Sequence, residues 1–204
     1  MRHDGEMSEP RPRRPVMPGD GAFDELPGGE DPALRAEVAH RTAALLVRGA
    51  RSQQDEAMVQ RIVHLADEQG LDTVADLWAS APPDSLPGAL WRLYLLRSWV
   101  QADPVSAARE FASGRRHAPV QEVVAGVVEP PGPEEVRELA DTVLRGVVAG
   151  DLSTTLHRAA AFTRICASGR AELTDRDAAS AARLVTLADD LESAARAERA
   201  GLLV

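Results

Sequence analysis

The stretch LPGALWRLYLLRSWVQA, residues 86–102, decides the fold of this chain. Its only charged residues are Arg92 and Arg97, and large apolar side chains fall on every face of a helical projection. A helix that is apolar nearly all round is one that other helices surround. The stretch is too short to span a bilayer, and arginine interrupts it twice. We therefore predict a central apolar helix near Leu86–Gln101.

The aromatic residues of this stretch allow two interpretations. Trp91, Tyr94 and Trp99 are the residue types that line ligand pockets, but they also fill cores. Because the opposite face of the helix is equally apolar, we place all three in the centre of the core. Arg92 and Arg97 are then expected to reach outward to solvent.

Helical periodicity and capping signals continue on both sides of this stretch and predict about eight helices. Asp31-Pro32 is a typical helix start, and we expect two later helices to stop at Gly114 and Gly169. The valine-rich residues 120–128 suit either a strand or a short buried helix. A lone strand has no pairing partner, which favours the helix. The fold class predicted is all-α, a single bundle or array over residues 30–204.

Residues 1–29 have a different composition, with five prolines, five glycines and several arginines. Such a stretch buries too little apolar surface to offset its ordering entropy, so we predict a disordered tail. Phe23 and Leu26 are among its few large apolar residues. The motif Phe23-Asp-Glu-Leu26 either docks on a partner or packs against the edge of the chain's own domain.

The overall composition excludes several classes of function. The chain has no lysine and no asparagine, so all 23 basic residues are arginine, which a GC-rich genome explains. The net charge of −9 argues against nucleic acid as a partner and against binding to anionic membrane surfaces. Cys166 is the only cysteine, so no internal disulfide forms. No secretory signal or long apolar run is recognisable, so we expect no membrane association and a cytoplasmic protein.

No catalytic, cofactor-binding or metal site emerges from the remaining motifs. Glu37 and His40 form one E-x-x-H pair, whereas a di-iron bundle needs a second pair and further carboxylates. Cys166 shares an apolar stripe with its neighbours, so we expect a core residue and not a nucleophile paired with His157. Phosphate-binding glycine motifs are absent, and the lack of lysine removes Schiff-base chemistry. The sequence predicts no cofactor.

Surface features favour a protein partner or self-association. Arg115 and Arg116 form a basic pair that suits either a phosphate or an acidic partner. Leu184 and Leu191 belong to a narrow apolar seam near the C-terminus, which either packs inward or forms a homodimer or partner interface. The apolar residues 202–204 add a possible recognition tail. We expect a non-enzymatic interaction or regulatory protein. The alternatives are a DNA-associated regulator and an enzyme with a pocket beside Trp91 and Trp99.

The stretches LPGALWRLYLLRSWV and VVAGVVEPPGPEEVRELADTVLRGVVAGDL resemble small helical proteins of GC-rich actinobacteria. The resemblance covers residues 27 to 204 and agrees with the codon interpretation. That family has no characterised activity, so the resemblance implies no reaction, no cofactor and no site residues.

Overall fold

The computed structural model describes residues 32–49, 56–61, 64, 70–116, 132–144, 151–173 and 178–204. These residues form helices and turns, with no strand among them, so the all-α prediction is confirmed. Residues 56–61 are helical, and the longer elements follow in chain order. They are α1 (Pro32–Arg48), α2 (Leu71–Asp76), α3 (Leu86–Ala102), α4 (Pro104–Arg115), α5 (Pro133–Leu144), α6 (Leu152–Leu173) and α7 (Ala178–Arg199).

Helix α3 is the central element, as the sequence predicted, because it contacts each of the six other named helices. Its first turn is defined by Ser85, whose hydroxyl accepts a hydrogen bond from the N–H of Gly88 at 3.2 Å, and by Pro87. Leu90, Leu93 and Leu96 are fully buried along its length. Within the described residues, no helix combines the length and apolar character that a membrane crossing requires.

The aromatic residues and arginines of α3 differ from the prediction. Trp91, Tyr94 and Trp99 are only half-buried at the edge of the core, and the tryptophan at its centre is Trp78, in the turn after α2. Neither arginine simply extends into solvent. Arg92 pairs with Asp190 of α7 at 2.6 Å, and Arg97 pairs with a carboxylate of α5. Both arginines of the central helix therefore form ion pairs with carboxylates of neighbouring helices.

Helices α4 and α6 cross at two glycines that the sequence assigned to helix ends. A Cβ on Gly169 would lie 1.8 Å from the Glu110 carbonyl oxygen, and one on Gly114 would lie 1.8 Å from that of Ile165. Helix α6 therefore continues through Gly169 to Leu173, and α4 continues through Gly114. The helix end predicted at Gly169 was wrong, because this glycine permits close backbone approach within a helix, whereas α4 does end one residue after Gly114.

Helix α7 packs lengthwise on α6. Ala188 and Ala195 alternate with the two leucines of its seam and are fully buried, so the two backbones come close. The buried hydroxyl of Ser153 donates to the Ala195 carbonyl oxygen at 2.9 Å and joins the pair at one end. Asp151 caps α6 by accepting from the backbone N–H of Ser153 at 3.0 Å.

Several predictions concern residues outside the described part of the chain. These are the disordered tail of residues 1–29 and the valine-rich residues 120–128.

Candidate functional site

A groove of about 490 Å³ lies beside α1, at the point where the C-terminal residues pass the start of α3. We call it the Val204 groove. Its lining residues are Glu37, His40, Arg41, Ala44, Arg48, Leu86, Leu203 and Val204. The apolar members come from three separate parts of the chain, while every charged member belongs to α1. The groove is therefore an apolar floor with a charged rim along one helix.

The end of α7 directs the C-terminal residues into this groove. Gly201 has a φ of 70°, a left-handed conformation that favours glycine. Its N–H donates to the Glu198 carbonyl oxygen at 2.9 Å, and the N–H of Leu202 donates to that of Ala197 at 2.9 Å. This pair of bonds is the Schellman motif, which ends a helix and reverses the chain direction. Residues 202–204 consequently return toward α1 and α3.

Three contacts fix the returning segment. The side chain of Leu203 is 3% exposed and belongs to the core. The N–H of Leu86 donates to the Val204 carbonyl oxygen at 2.8 Å. Arg48 pairs with Glu198 and also donates to the Leu203 carbonyl oxygen at 3.3 Å. The hydrogen bonds that Arg48 donates to the Glu198 carboxylate raise the pKa of Arg48, which keeps that guanidinium charged. One wall of the groove is thus preformed.

The side chain of Val204, in contrast, is 76% exposed above the groove. Leu202 is 71% exposed beside it, so the segment buries one leucine and presents two apolar neighbours outward. Isolated exposed apolar residues are common on protein surfaces. Leu202 and Val204, however, adjoin a concave apolar floor. Exposed apolar residues beside a concave apolar surface are typical of a site that binds a ligand or a partner.

The charge on α1 is opposite to that of the whole chain. The chain carries −9, whereas α1 contains three arginines and one glutamate. Arg41 is exposed on the rim of the Val204 groove. The Nδ1–H of His40 donates to the Ala36 carbonyl oxygen at 2.8 Å, which orients the ring along the helix. On the rim, Arg48 is paired with Glu198, and Glu37 lies on the same helix as Arg41.

A smaller groove of about 200 Å³ also lies beside α1, nearer the beginning of that helix. We call it the Leu77 groove. Its lining residues are Leu34, Arg35, Val38, Asp76 and Leu77. Leu34 is 55% exposed and Val38 is 40% exposed. Because Arg35 and Asp76 carry opposite charges, this groove has no net preference for an acidic or a basic occupant.

The partner-binding residues predicted from sequence fall into three groups. Arg115 and Arg116 are exposed at the end of α4, where Arg115 lies 5.9 Å from the Phe111 ring centroid. Leu184 and Leu191 are buried in the core. Their seam therefore packs inward against the rest of the chain, which is one of the two interpretations that the sequence allowed. Phe23 and Leu26 lie outside the described residues.

The residues considered for chemistry are not brought together. His40 and Glu37 line a groove, but the described residues contain no group of three or more potential metal ligands. Cys166 is fully buried, and burial raises the pKa of its thiol. The Nδ1–H of His157 donates within its own helix, to the Ser153 carbonyl oxygen at 3.1 Å. Cys166 is a core residue, as predicted.

The two tryptophans proposed to flank a pocket lie in different surroundings. Trp91 stacks on Tyr94 with ring centroids 5.3 Å apart. Trp99 lies against Phe162 and beneath the Arg170 guanidinium, which is 5.0 Å from its ring centroid. Neither residue lines the Val204 groove or the Leu77 groove.

The sequence drew attention to Glu37, His40 and residues 202–204 but not to the groove that joins them with Arg41, Ala44 and Arg48, although one signal for it was present. The arginine excess of the first helix stands out in an acidic chain, and it marks the rim. The floor carries no such signal because it joins residues more than a hundred positions apart. No protein-family model matches this chain, and no curated protein or solved structure matches it either. The actinobacterial resemblance therefore stays a prediction.

Proposed function

We propose that this chain is a non-enzymatic helical protein that binds an acidic, amphipathic segment of another protein in the Val204 groove. The observation that carries the proposal is the combination of a preformed apolar floor with an arginine-bearing rim. A volume of about 490 Å³ falls in the range of ligand and peptide sites. Helix-in-groove recognition uses apolar anchors at helical spacing together with complementary charges at the edge.

The fixed position of residues 202–204 supports binding because it lowers the ordering cost. Leu203 is already packed, and the backbone on both sides is hydrogen-bonded to Leu86 and Arg48. A preorganised surface loses less side-chain and backbone freedom when a partner arrives. Val204 and Ala44 then supply apolar area that is covered only in the complex.

The occupant is argued from charge. Arg41 and Arg48 stand on the rim with Glu37, and Arg48 is also paired with Glu198. An acidic segment gains attraction and faster encounter at such a rim, whereas a basic segment meets arginine.

The test uses a fluorescent 14-residue model peptide with leucines at i, i+3, i+4 and i+7 and glutamates elsewhere, measured by anisotropy against the full chain. A matched peptide with lysine in place of glutamate is the ligand control. We expect the acidic peptide to bind and the lysine peptide to bind far more weakly. Arg41→Glu should weaken the acidic peptide roughly three- to tenfold, the effect of reversing one partly exposed charge.

The matched protein control is Arg183→Glu, an exposed arginine on α7 about 22 Å along that helix from Glu198. It changes the net charge by the same amount and should leave binding unaltered. Equal binding of both peptides, equal loss in both variants, or no binding at all would overturn the proposal. Concentration-dependent self-association that Arg41→Glu abolishes would replace the partner with a second copy.

A further inference from the structure

Residues 202–204 occupy a site that other parts of the chain form. The side chain of Leu203 is buried in the core, whereas those of Leu202 and Val204 are exposed. The backbone of the three residues is not helical, and it is bound through the carbonyl oxygens of Leu203 and Val204. Bound peptides are held in the same way, by main-chain hydrogen bonds and a pocket for one side chain.

The hydrogen-bond donor to Val204 belongs to the first turn of α3. The first N–H groups of a helix have no acceptor within it. In α3 the hydroxyl of Ser85 accepts from Gly88, and Pro87 has no N–H, which leaves the N–H of Leu86. Leu86 is buried, so this donor needs an acceptor from elsewhere in the chain. The Val204 carbonyl oxygen supplies it at 2.8 Å.

The second donor is the guanidinium of Arg48, which is held in place independently of residues 202–204. Both of its terminal nitrogens donate to the Glu198 carboxylate, and one of them also donates to the Leu203 carbonyl oxygen at 3.3 Å. The site therefore consists of two positioned donors and a core pocket of leucine size. Residues 202–204 supply neither the donors nor the pocket.

We propose that residues 202–204 are a displaceable plug, and that the site they fill binds a non-helical, leucine-anchored segment of a partner protein in their place. The partner's leucine enters the pocket of Leu203. The carbonyl oxygens of that leucine and of the next residue then accept from Arg48 and Leu86. This inference goes beyond the proposed function, because the leucine-anchored ligand replaces residues 202–204, whereas the acidic segment lies over them.

The plug can leave without unfolding α7. The two hydrogen bonds of the Schellman motif are donated by Gly201 and Leu202, so both remain when the following residues move away. The change of direction falls in Leu202, whose side chain has no place in the core. Only the packing of Leu203 and two hydrogen bonds are lost, and openings that break so few contacts are the least costly ones in a protein.

Burial and tethering set the specificity and the affinity of this site. Because Leu202 and Val204 are exposed, the positions on either side of the anchor accept other residues, while the anchor position requires leucine. A tethered plug competes at an effective concentration in the millimolar range. A plug that is closed in nine chains of ten lowers the apparent affinity for an external ligand about tenfold, since only the open fraction binds.

The first experiment measures the anisotropy of a fluorescent, amidated peptide, GSLV, whose single leucine is the anchor, against the full chain. Leu203→Ser should bind this peptide at least tenfold more tightly than wild type, because a serine no longer fills the pocket. Leu202→Ser makes the same change at an exposed neighbour and should bind like wild type. The peptide GSSV, which lacks the anchor, should bind none of the three proteins.

Equal affinity of wild type and Leu203→Ser for GSLV would overturn the proposal, and so would the absence of binding by a Leu203→Ser protein with the circular dichroism spectrum of wild type. A dimer that forms with rising concentration in wild type, and that Leu203→Ser abolishes, would make a second copy the occupant and overturn the choice of a partner protein.

The second experiment needs no variant and follows amide hydrogen exchange in wild type by NMR at low urea concentrations. The Leu86 amide is bound to Val204, and Leu93 is fully buried in the middle of the same helix. Loss of the plug exposes little surface, so exchange of Leu86 should be faster than that of Leu93 and nearly independent of urea. If both amides exchange with the same urea dependence, the plug leaves only when the chain unfolds, and the proposal is wrong.

Discussion

Replacing Gly169 with alanine tests the close crossing of α4 and α6. The added Cβ would lie 1.8 Å from the Glu110 carbonyl oxygen and 2.8 Å from the backbone nitrogen of Gly114. Both are main-chain atoms, so no side-chain rotation relieves the clash. The two helices must separate by about 1 Å or more, and that separation loosens the packing of Phe111 on Phe162, whose ring centroids are 5.3 Å apart.

The magnitude follows from two opposing terms. Inserting an atom into a well-packed interface costs about 1–3 kcal/mol, and a main-chain clash belongs at the upper end of that range. Alanine is favoured over glycine in a helix by about 1 kcal/mol, which offsets part of the cost. We therefore expect a net destabilisation of about 2 kcal/mol. In a chain of this size, that lowers the melting temperature by about 4–8 °C.

The assay is thermal unfolding followed by circular dichroism at 222 nm. The control is Ser168→Ala, the adjacent position on the exposed side of the same helix, which should leave the melting temperature nearly unchanged. Gly114→Ala should resemble Gly169→Ala, and the double variant should cost less than the two together, because one separation accommodates both Cβ atoms. A Gly169→Ala protein as stable as wild type would refute the crossing geometry.

Three further predictions concern the core. Burial raises the thiol pKa of Cys166, so iodoacetamide should modify this thiol only in denaturant. As the pH rises, the thiol loses its proton in the unfolded chain before it does so in the folded chain. The free energy of unfolding should therefore fall by up to about 1.4 kcal/mol per pH unit above the ordinary thiol pKa of about 8.5. A Cys166→Ala variant that keeps the same fall would contradict this origin. Trp78→Ala should lower the free energy of unfolding in urea by about 3–5 kcal/mol, whereas Trp91→Ala, at a half-buried position, should lower it by about 1–2 kcal/mol. A larger loss for Trp91→Ala than for Trp78→Ala would show that Trp91 lies at the centre of the core. Thr42→Val removes the acceptor of the Trp78 indole N–H, now 3.1 Å away, and should cost about 1–3 kcal/mol; a neutral result would show that the indole finds another acceptor.

The class of the fold and its central helix were predictable because both depend on local patterns. Nearly continuous apolar character over residues 86–102 requires neighbours on all sides, and the proline and glycine breaks delimit the other helices. Which tryptophan is the most deeply buried was not predictable from the sequence. Trp78 follows a six-residue helix and looks peripheral along the sequence, yet Thr42 of α1 meets it in the core. That contact joins residues 36 positions apart, which periodicity does not report.

The two crossing glycines were misjudged for a related reason. A glycine near the end of an apolar stripe has the same local appearance whether it ends the helix or admits a neighbour. Gly201 does end its helix, with a positive φ and both Schellman bonds. Gly114 and Gly169 instead face one another across two helices, and only the pairing of those helices distinguishes the two uses. The floor of the Val204 groove was hidden in the same way.

All Lys and Arg positions of this chain are arginine. This affects the ion pairs that join the helices, and it affects the choice of variants that test the groove. Arginine presents a planar fork that binds carboxylates through two bonds, and lysine does not reproduce it. Arg170 uses this fork on Glu110, with both contacts at 2.9 Å, while it covers Trp99. Arg48 has a double role, because it holds the C-terminal segment and rims the groove, so its replacement confuses stability with binding. Charge reversal at Arg41, whose side chain is exposed on the rim, leaves the contacts of Arg48 with Glu198 and with the Leu203 carbonyl oxygen in place.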